Sequence, residues 1–358
     1  MNDSSGKIIR PEIAGLKPYR SPEFEWKVKL DLNESPFDVP PEVKAEIWRR
    51  VETLEWQRYH DEFERPLIEK LAAYESHDPD CVLIGNGSNE LIFHSLLSVI
   101  RHGDVVLFPE PTFSLYAQNV TVLGGRPRSV MLSGGDFSLD ADSLLAKAGE
   151  TDARAIVLCS PNNPTANLIP NGVIERICDG FEGLVVVDEA YAQFADSNAK
   201  ELIERRANLV VLRTFSKAFG LAGLRFGYLM ALPEIAREIA KVQLPHHVGF
   251  FTQLAATVLL ENAGVMEQRV ASLVKQREKL IERLAGIGGV SPLPSQSNFI
   301  LIESSALPAP ELFERLLEKG VLIRNVSNYP GLSRYLRITV GNSEENDVLL
   351  RSLGEVLA

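Results

Sequence analysis

Lys217 follows the apolar run Leu209-Val210-Val211-Leu212, the polar step Arg213-Thr214, and Phe215 flanked by Thr214 and Ser216; a loop with Gly220, Gly223 and Gly227 comes next. A lysine in an apolar frame loses hydration, which favours the neutral amine and makes it a nucleophile for a carbonyl. A lone lysine in a turn is ordinarily a solvated one, so this reading depends on what the other strand ends offer. Asp188 closes the run Leu184-Val185-Val186-Val187, and a carboxylate buried there needs a cation or several donors to stay charged. Asn163 and Tyr191 supply donors close to two apolar run ends, Phe113 supplies a flat face, and Thr214, Ser216 and Arg225 make a set of phosphate ligands. The turn Gly85-Asn86-Gly87-Ser88-Asn89-Glu90 opens a helix whose first N–H groups suit an anion, although Ser88 acting as a plain helix cap fits equally well. A dinucleotide fingerprint would want glycine where Glu90 stands, and there is no P-loop.

Together these parts describe a site for a phosphorylated aromatic cation held through an aldehyde, which is pyridoxal 5'-phosphate. Lys217 would form the Schiff base and afterwards move a proton as general base and acid. Asp188 would keep the pyridine nitrogen protonated, so that the ring acts as an electron sink. Asn163 and Tyr191 would hydrogen-bond the phenolate oxygen, and Phe113 would stack on the ring.

The elements that must position these residues are short apolar runs alternating with amphipathic helices: 82–84, 105–108, 155–158, 184–187 and 209–212. Continuous apolar strands of this kind belong to a mostly parallel α/β sheet covered on both faces, with ligands bound beyond the carboxyl ends of its strands. After a long charged helix from 265 to 285, the remaining strand and helix signals suggest a smaller α+β unit. The expected organisation is an amino-terminal arm at 1–40, mostly extended over the surface and packing on the small unit, a large domain at 41–262 and a small domain at 263–358.

At 358 residues with 45% hydrophobic and 24% charged content, the chain has ample material for a large core. A net charge of -11 without a basic run opposes nucleic-acid binding. No segment approaches the ~20 apolar residues of a membrane span, and the start of the chain lacks a signal-peptide core. Cys81, Cys159 and Cys178 are odd in number and lack clip spacing, which points to a reducing, cytoplasmic setting. No metal site is expected: His246 and His247 are adjacent, so their side chains diverge, and a third ligand is not evident.

Ser160-Pro-Asn-Asn-Pro-Thr165, Asp188-Glu-Ala-Tyr191, Thr214-Phe-Ser-Lys217 and Gly223-Leu-Arg-Phe-Gly-Tyr228 together resemble the motifs of fold-type-I, class I/II aminotransferases, in order and over nearly the whole chain. Within that superfamily the chain looks most like the histidinol-phosphate aminotransferases, on Leu16-Lys-Pro-Tyr19, Leu32-Asn-Glu-Ser-Pro-Phe37, Leu244-Pro245, Ser297-Asn-Phe-Ile300 and Tyr335-Leu-Arg-Ile-Thr-Val-Gly341. The resemblance implies transamination between L-histidinol phosphate and 2-oxoglutarate in histidine biosynthesis. It also implies that Ser88 and Asn89 join Thr214, Ser216 and Arg225 at the cofactor phosphate, and that Tyr59 reaches that phosphate from the partner subunit of a homodimer. Arg337 would pair a substrate carboxylate in a bidentate fork, or receive the substrate phosphate together with Arg324. Tyr19 and Asn33 would line the substrate side.

Three departures from the family pattern concern Ala166 where glycine is usual, which strains a turn, Asn89 where many relatives have Asp, and His246, His247 and Gly249 beside the substrate pocket. They leave an aromatic or broad-range aminotransferase, or a threonine-phosphate decarboxylase, as rival activities. A non-catalytic cofactor-binding module fits less well, because Lys217 is present and no basic segment precedes residue 40.

Overall fold

The computed structural model describes residues 8–18 and 24–358, which leaves Tyr19 outside the described residues. Twelve strands form among them: β1 (Val28–Leu30), β2 (Val82–Gly85), β3 (Val105–Glu110), β4 (Arg126–Met131), β5 (Ala153–Cys159), β6 (Leu184–Asp188), β7 (Leu209–Thr214), β8 (Gly227–Ala231), β9 (Val290–Pro292), β10 (Phe299–Ser304), β11 (Val321–Asn325) and β12 (Tyr335–Thr339). The larger sheet has seven strands in the order β2-β8-β7-β6-β5-β3-β4. Its pairs are parallel from β4 through β7, and β8 runs antiparallel to both of its neighbours. The expected mostly parallel α/β sheet is therefore present.

The apolar runs are continuous because both faces of this sheet are covered. Ile156, Leu158, Val185 and Val187 pack into one core, whereas Ala155, Val157, Leu184 and Val186 pack into a second core on the opposite face. Side chains alternate along a strand, so Asp188 emerges on the face of Val186 and Glu189 on the other. Truncating one buried leucine here, such as Leu158, would cost about 2–5 kcal/mol.

The second sheet orders its five strands β1-β11-β12-β10-β9, with β1 parallel to β11 and the other pairs antiparallel. Here the expectation of an extended surface arm needs correction for its central part. Val28 and Leu30 are buried beside Val321 and Ile323, because the alternation Val-Lys-Leu turns two apolar side chains inward even over three residues. Two further strands carry little sequence signal. β4 is a sheet edge of sequence Arg-Pro-Arg-Ser-Val-Met with mostly exposed side chains, and an edge is where proline is tolerated. β9 is only three residues long.

The 23-residue helix Ala263–Ala285 buries Met266, Leu273, Leu280 and Leu284 and packs on both β9 and β10. Those positions follow a helical stripe. None of the helices among the described residues is long and apolar enough to cross a membrane.

Candidate active site

The carboxyl ends of the parallel strands converge on one cleft of about 550 Å³. Phe113 follows β3, Asn163 follows β5, Asp188 ends β6, and Thr214, Ser216 and Lys217 end and follow β7. From the five-stranded sheet come Arg324 on β11 and Arg337 on β12, which face one another in register. Asn33, Ser88, Asn89, Tyr191 and Arg225 complete the set, so thirteen of the fifteen residues anticipated from sequence line this cleft.

Tyr59 does not line it. Its side chain is 80% exposed and stacks on His246 with ring centroids 4.3 Å apart. Its neighbour His247 turns the other way, with Nε2 3.0 Å from the carbonyl of Ile84 and its own carbonyl accepting from Asn86 Nδ2 at 2.9 Å. The two histidines diverge, as adjacent side chains tend to.

One end of the cleft is built for an anion. Gly87, at φ +87°, sits at the cap position of the helix Ser88–Val99, and no side chain caps its first turn. Ser88 is thus the first helical residue, not the cap. A Cβ on Gly87 would lie 2.6 Å from Nη2 of Arg225, so only glycine lets that guanidinium approach the turn. Arg225 Nη1 donates to Ser216 Oγ at 3.1 Å, and Thr214 Oγ1 donates to the same oxygen at 2.9 Å.

Lys217 Nζ donates to the carbonyl of Leu32 at 2.7 Å. Burial pushes its amine down to about 7, and the positive charges of Arg337 and Arg225 act in the same direction. Asp188 is shifted the other way, up to about 6, chiefly by burial; hydrogen bonds from Tyr116 and from the Ala190 N–H hold it lower than burial alone would. Tyr191 is buried, which raises its hydroxyl pKa, and the hydroxyl accepts from Asn33 Nδ2 at 3.0 Å. Arg337 Nη1 donates to Asn163 Oδ1 and Nη2 to the carbonyl of Asp31.

Among the described residues no carboxylate pairs with Arg225, Arg324 or Arg337, and Nε of the buried Arg337 has no hydrogen-bond partner. Guanidinium groups left in this way call for anionic ligands. A phosphate cup, a half-buried amine, a buried carboxylate and the ring of Phe113 are what pyridoxal phosphate needs, so the residues present fit it. Among the described residues no group of three or more His, Cys, Asp or Glu side chains could hold a metal ion.

Several contributors escaped the sequence reading. Tyr116, fully buried, donates its hydroxyl to Asp188 Oδ2 at 2.7 Å. Its spacing of three from Phe113 at a helix start was the available signal. Behind the site, Arg213 on β7 lies 2.7 Å from Glu75 and 2.9 Å from Glu189, and Tyr228 and Lys200 also reach Glu75. This buried ion cluster grips the residue next to Asp188. Ala166 has φ +63° and is fully buried, so the strain foreseen at that turn is real. All three cysteines are free and buried.

Known proteins resemble this chain over nearly its whole length. A family model described as aminotransferase class I and II matches residues 25–353. A histidinol-phosphate aminotransferase of Caldanaerobacter subterraneus subsp. tengcongensis is 37% identical over 351 residues, covering 98% of this chain and 99% of its own. Another, from Thermococcus gammatolerans, is 38% identical over 349 residues, covering 98% and 97%. The crystal structure of histidinol-phosphate aminotransferase from Sinorhizobium meliloti in complex with pyridoxal-5'-phosphate superposes with a TM-score of 0.87 at 27% identity, covering 99% of this chain and 98% of that one. With a family model matched over residues 25–353 and relatives 37–38% identical over almost the whole chain, the chain belongs to the class I and II aminotransferases.

Proposed function

We propose that this protein transfers the amino group of L-histidinol phosphate to 2-oxoglutarate, giving imidazole acetol phosphate and glutamate, with pyridoxal 5'-phosphate as its cofactor. The observation that carries the reading is the placing of the Lys217 amine in one cleft with Asp188 and with Arg225, Arg324 and Arg337, none of which pairs with a carboxylate among the described residues. Bound pyridoxal phosphate supplies an aldehyde that links to amines and a ring that takes up the electron pair released at the substrate Cα. Lys217 is the nucleophilic amine, and once free it carries the proton at Cα, a task suited to a base poised near neutrality. Asp188 provides the negative charge that a protonated ring nitrogen pairs with. Asn163 and Tyr191 orient the ring oxygen, and Phe113 covers one ring face. Ser88, Asn89, Thr214, Ser216 and Arg225 hold the cofactor phosphate. Arg337 forks onto the carboxylate of glutamate and, with Arg324, onto the phosphate of histidinol phosphate; a single basic site then serves both halves of the reaction.

A second copy of the chain belongs to this reading. Tyr59 is exposed and does not line its own cleft, and Trp48, Trp56 and Leu244 are also largely exposed. Trp56 and Tyr59 flank the same turn and lean on Phe250 and His246. Exposed aromatic surface of this kind favours association, and a dimer would offer Tyr59 to the partner's cofactor phosphate. Three unbridged cysteines suit a cytoplasmic setting.

The test is a coupled assay on purified, cofactor-loaded protein. Glutamate formed from histidinol phosphate and 2-oxoglutarate is the expected result, and its absence overturns the reading. Faster turnover of phenylalanine would instead favour an aromatic aminotransferase, and carbon dioxide from threonine phosphate a decarboxylase.

A further inference from the structure

Among the described residues six charged side chains line the cleft: Lys217, Arg225, Arg324 and Arg337, with Asp188 and Glu34. Asp188 is buried and already accepts from Tyr116 and from the Ala190 N–H. Glu34 differs from it in every respect. Its side chain is 45% exposed, only one of its oxygens is engaged, by Lys29, and the other has no protein hydrogen-bond partner among the described residues. Among the described residues it is the one solvent-exposed carboxylate lining this cationic cleft.

Its mount is rigid. Asn33, one residue earlier, adopts a left-handed φ of +55°, a conformation that asparagine tolerates better than most residues. Four hydrogen bonds hold it there. Its N–H donates to Thr339 Oγ1 at 3.0 Å and its Nδ2 to Tyr191 at 3.0 Å, while its Oδ1 accepts from Thr339 at 3.2 Å and its carbonyl from Asn298 Nδ2 at 3.0 Å. Lys29, itself 3.0 Å from Asp31, then fixes the carboxylate of Glu34. A pre-oriented acceptor of this kind is suited to reading a donor on the substrate.

We propose that Glu34 determines specificity for an amino donor bearing an N–H heterocycle, its carboxylate accepting a hydrogen bond from the imidazole ring. This rests on the reading of histidinol phosphate as the amino donor. The arginines take the anionic end of that molecule, Lys217 sits at its amine, and Glu34 takes the ring. A donor whose ring lacks N–H groups leaves the carboxylate unused and gains nothing from it. Glutamate has no such group either, so it binds through the arginines alone.

The experiment compares L-histidinol phosphate with phenylalaninol phosphate, which differs only in carrying phenyl for imidazole, on cofactor-loaded wild-type enzyme and on Glu34→Gln and Glu34→Asp. The wild type is expected to prefer the imidazole donor in kcat/KM. Glu34→Gln is expected to lower that preference about tenfold, the size of one charge-assisted hydrogen bond partly open to water, and Glu34→Asp to restore part of it. An unchanged preference in Glu34→Gln, or an equal loss toward both donors, overturns the role of Glu34 while leaving the proposed reaction standing. Wild-type enzyme that turns over neither phosphorylated donor overturns the proposed reaction and this inference with it.

Discussion

The hydroxyl of Tyr116 donates to Oδ2 of Asp188 at 2.7 Å inside a fully buried pair. This contact opposes the effect of burial, which raises the carboxyl to about 6. Tyr116→Phe removes it, so the pKa of Asp188 rises further and the carboxylate is lost at a higher pH. The acid limb of the pH–rate profile should move upward, and cofactor affinity should fall roughly tenfold, as expected for one lost hydrogen bond to a charged group. Equilibrium binding of the cofactor and a kcat/KM profile from pH 5 to 9 check both.

Lys217 and Asp188 give the cofactor-free protein opposite pH dependences. The Lys217 amine is depressed from 10.5 to about 7, so between those values the unfolded chain binds the extra proton and folding stability rises with pH. Asp188 is raised from 3.8 to about 6, so stability falls as pH rises through that window. Lys217→Met should abolish the rise above pH 7. At pH 6 it should also stabilise the apo protein by on the order of 1–3 kcal/mol, a value discounted for water in the open cleft. Urea titrations across the pH range report both effects.

Arg337 uses Nη1 and Nη2 to hold Asn163 and the backbone of Asp31, and keeps Nε unpaired. Lysine cannot reproduce that fork. Arg337→Lys should raise KM for 2-oxoglutarate about 10- to 100-fold, a loss of roughly 1.5–3 kcal/mol. The cofactor should remain bound, which its absorbance after gel filtration would register.

Arg213 bridges Glu75 and Glu189 in the interior. Arg213→Met leaves two buried carboxylates without their shared cation and should destabilise the protein by about 3–5 kcal/mol. Denaturant unfolding measures this directly.

If Tyr59 works in the partner's cleft, two inactive variants can rescue one another. Lys217→Ala mixed with Tyr59→Ala and refolded together should regain about one quarter of wild-type activity, because half the dimers are mixed and each has one intact site. No recovery from the two inactive variants would assign Tyr59 to its own subunit's site, and a fully active Tyr59→Ala would assign it to none.

The parallel sheet was legible in the sequence because both of its faces are buried, which leaves uninterrupted runs such as Val185-Val186-Val187. The site was legible because its parts stand at the ends of those runs. β4 stayed hidden because an exposed edge carries no apolar pattern, and β1 because three residues give too short an alternation. Tyr116 and Glu34 escaped for another reason. Neither ends an apolar run of the large sheet, and each is tied to the site by a tertiary contact, Tyr116 through Asp188 and Glu34 through the platform that Asn33 makes on Thr339.

The most direct measurement is a single turnover in two stages. Cofactor-loaded enzyme is mixed with histidinol phosphate in the absence of an oxo acid, and 2-oxoglutarate is added afterwards. One equivalent of imidazole acetol phosphate per site should appear in the first stage and one equivalent of glutamate in the second, with Lys217→Ala giving neither at a comparable rate. Wild-type enzyme that releases no ketone product, or a Lys217→Ala variant that matches it, would contradict the assignment.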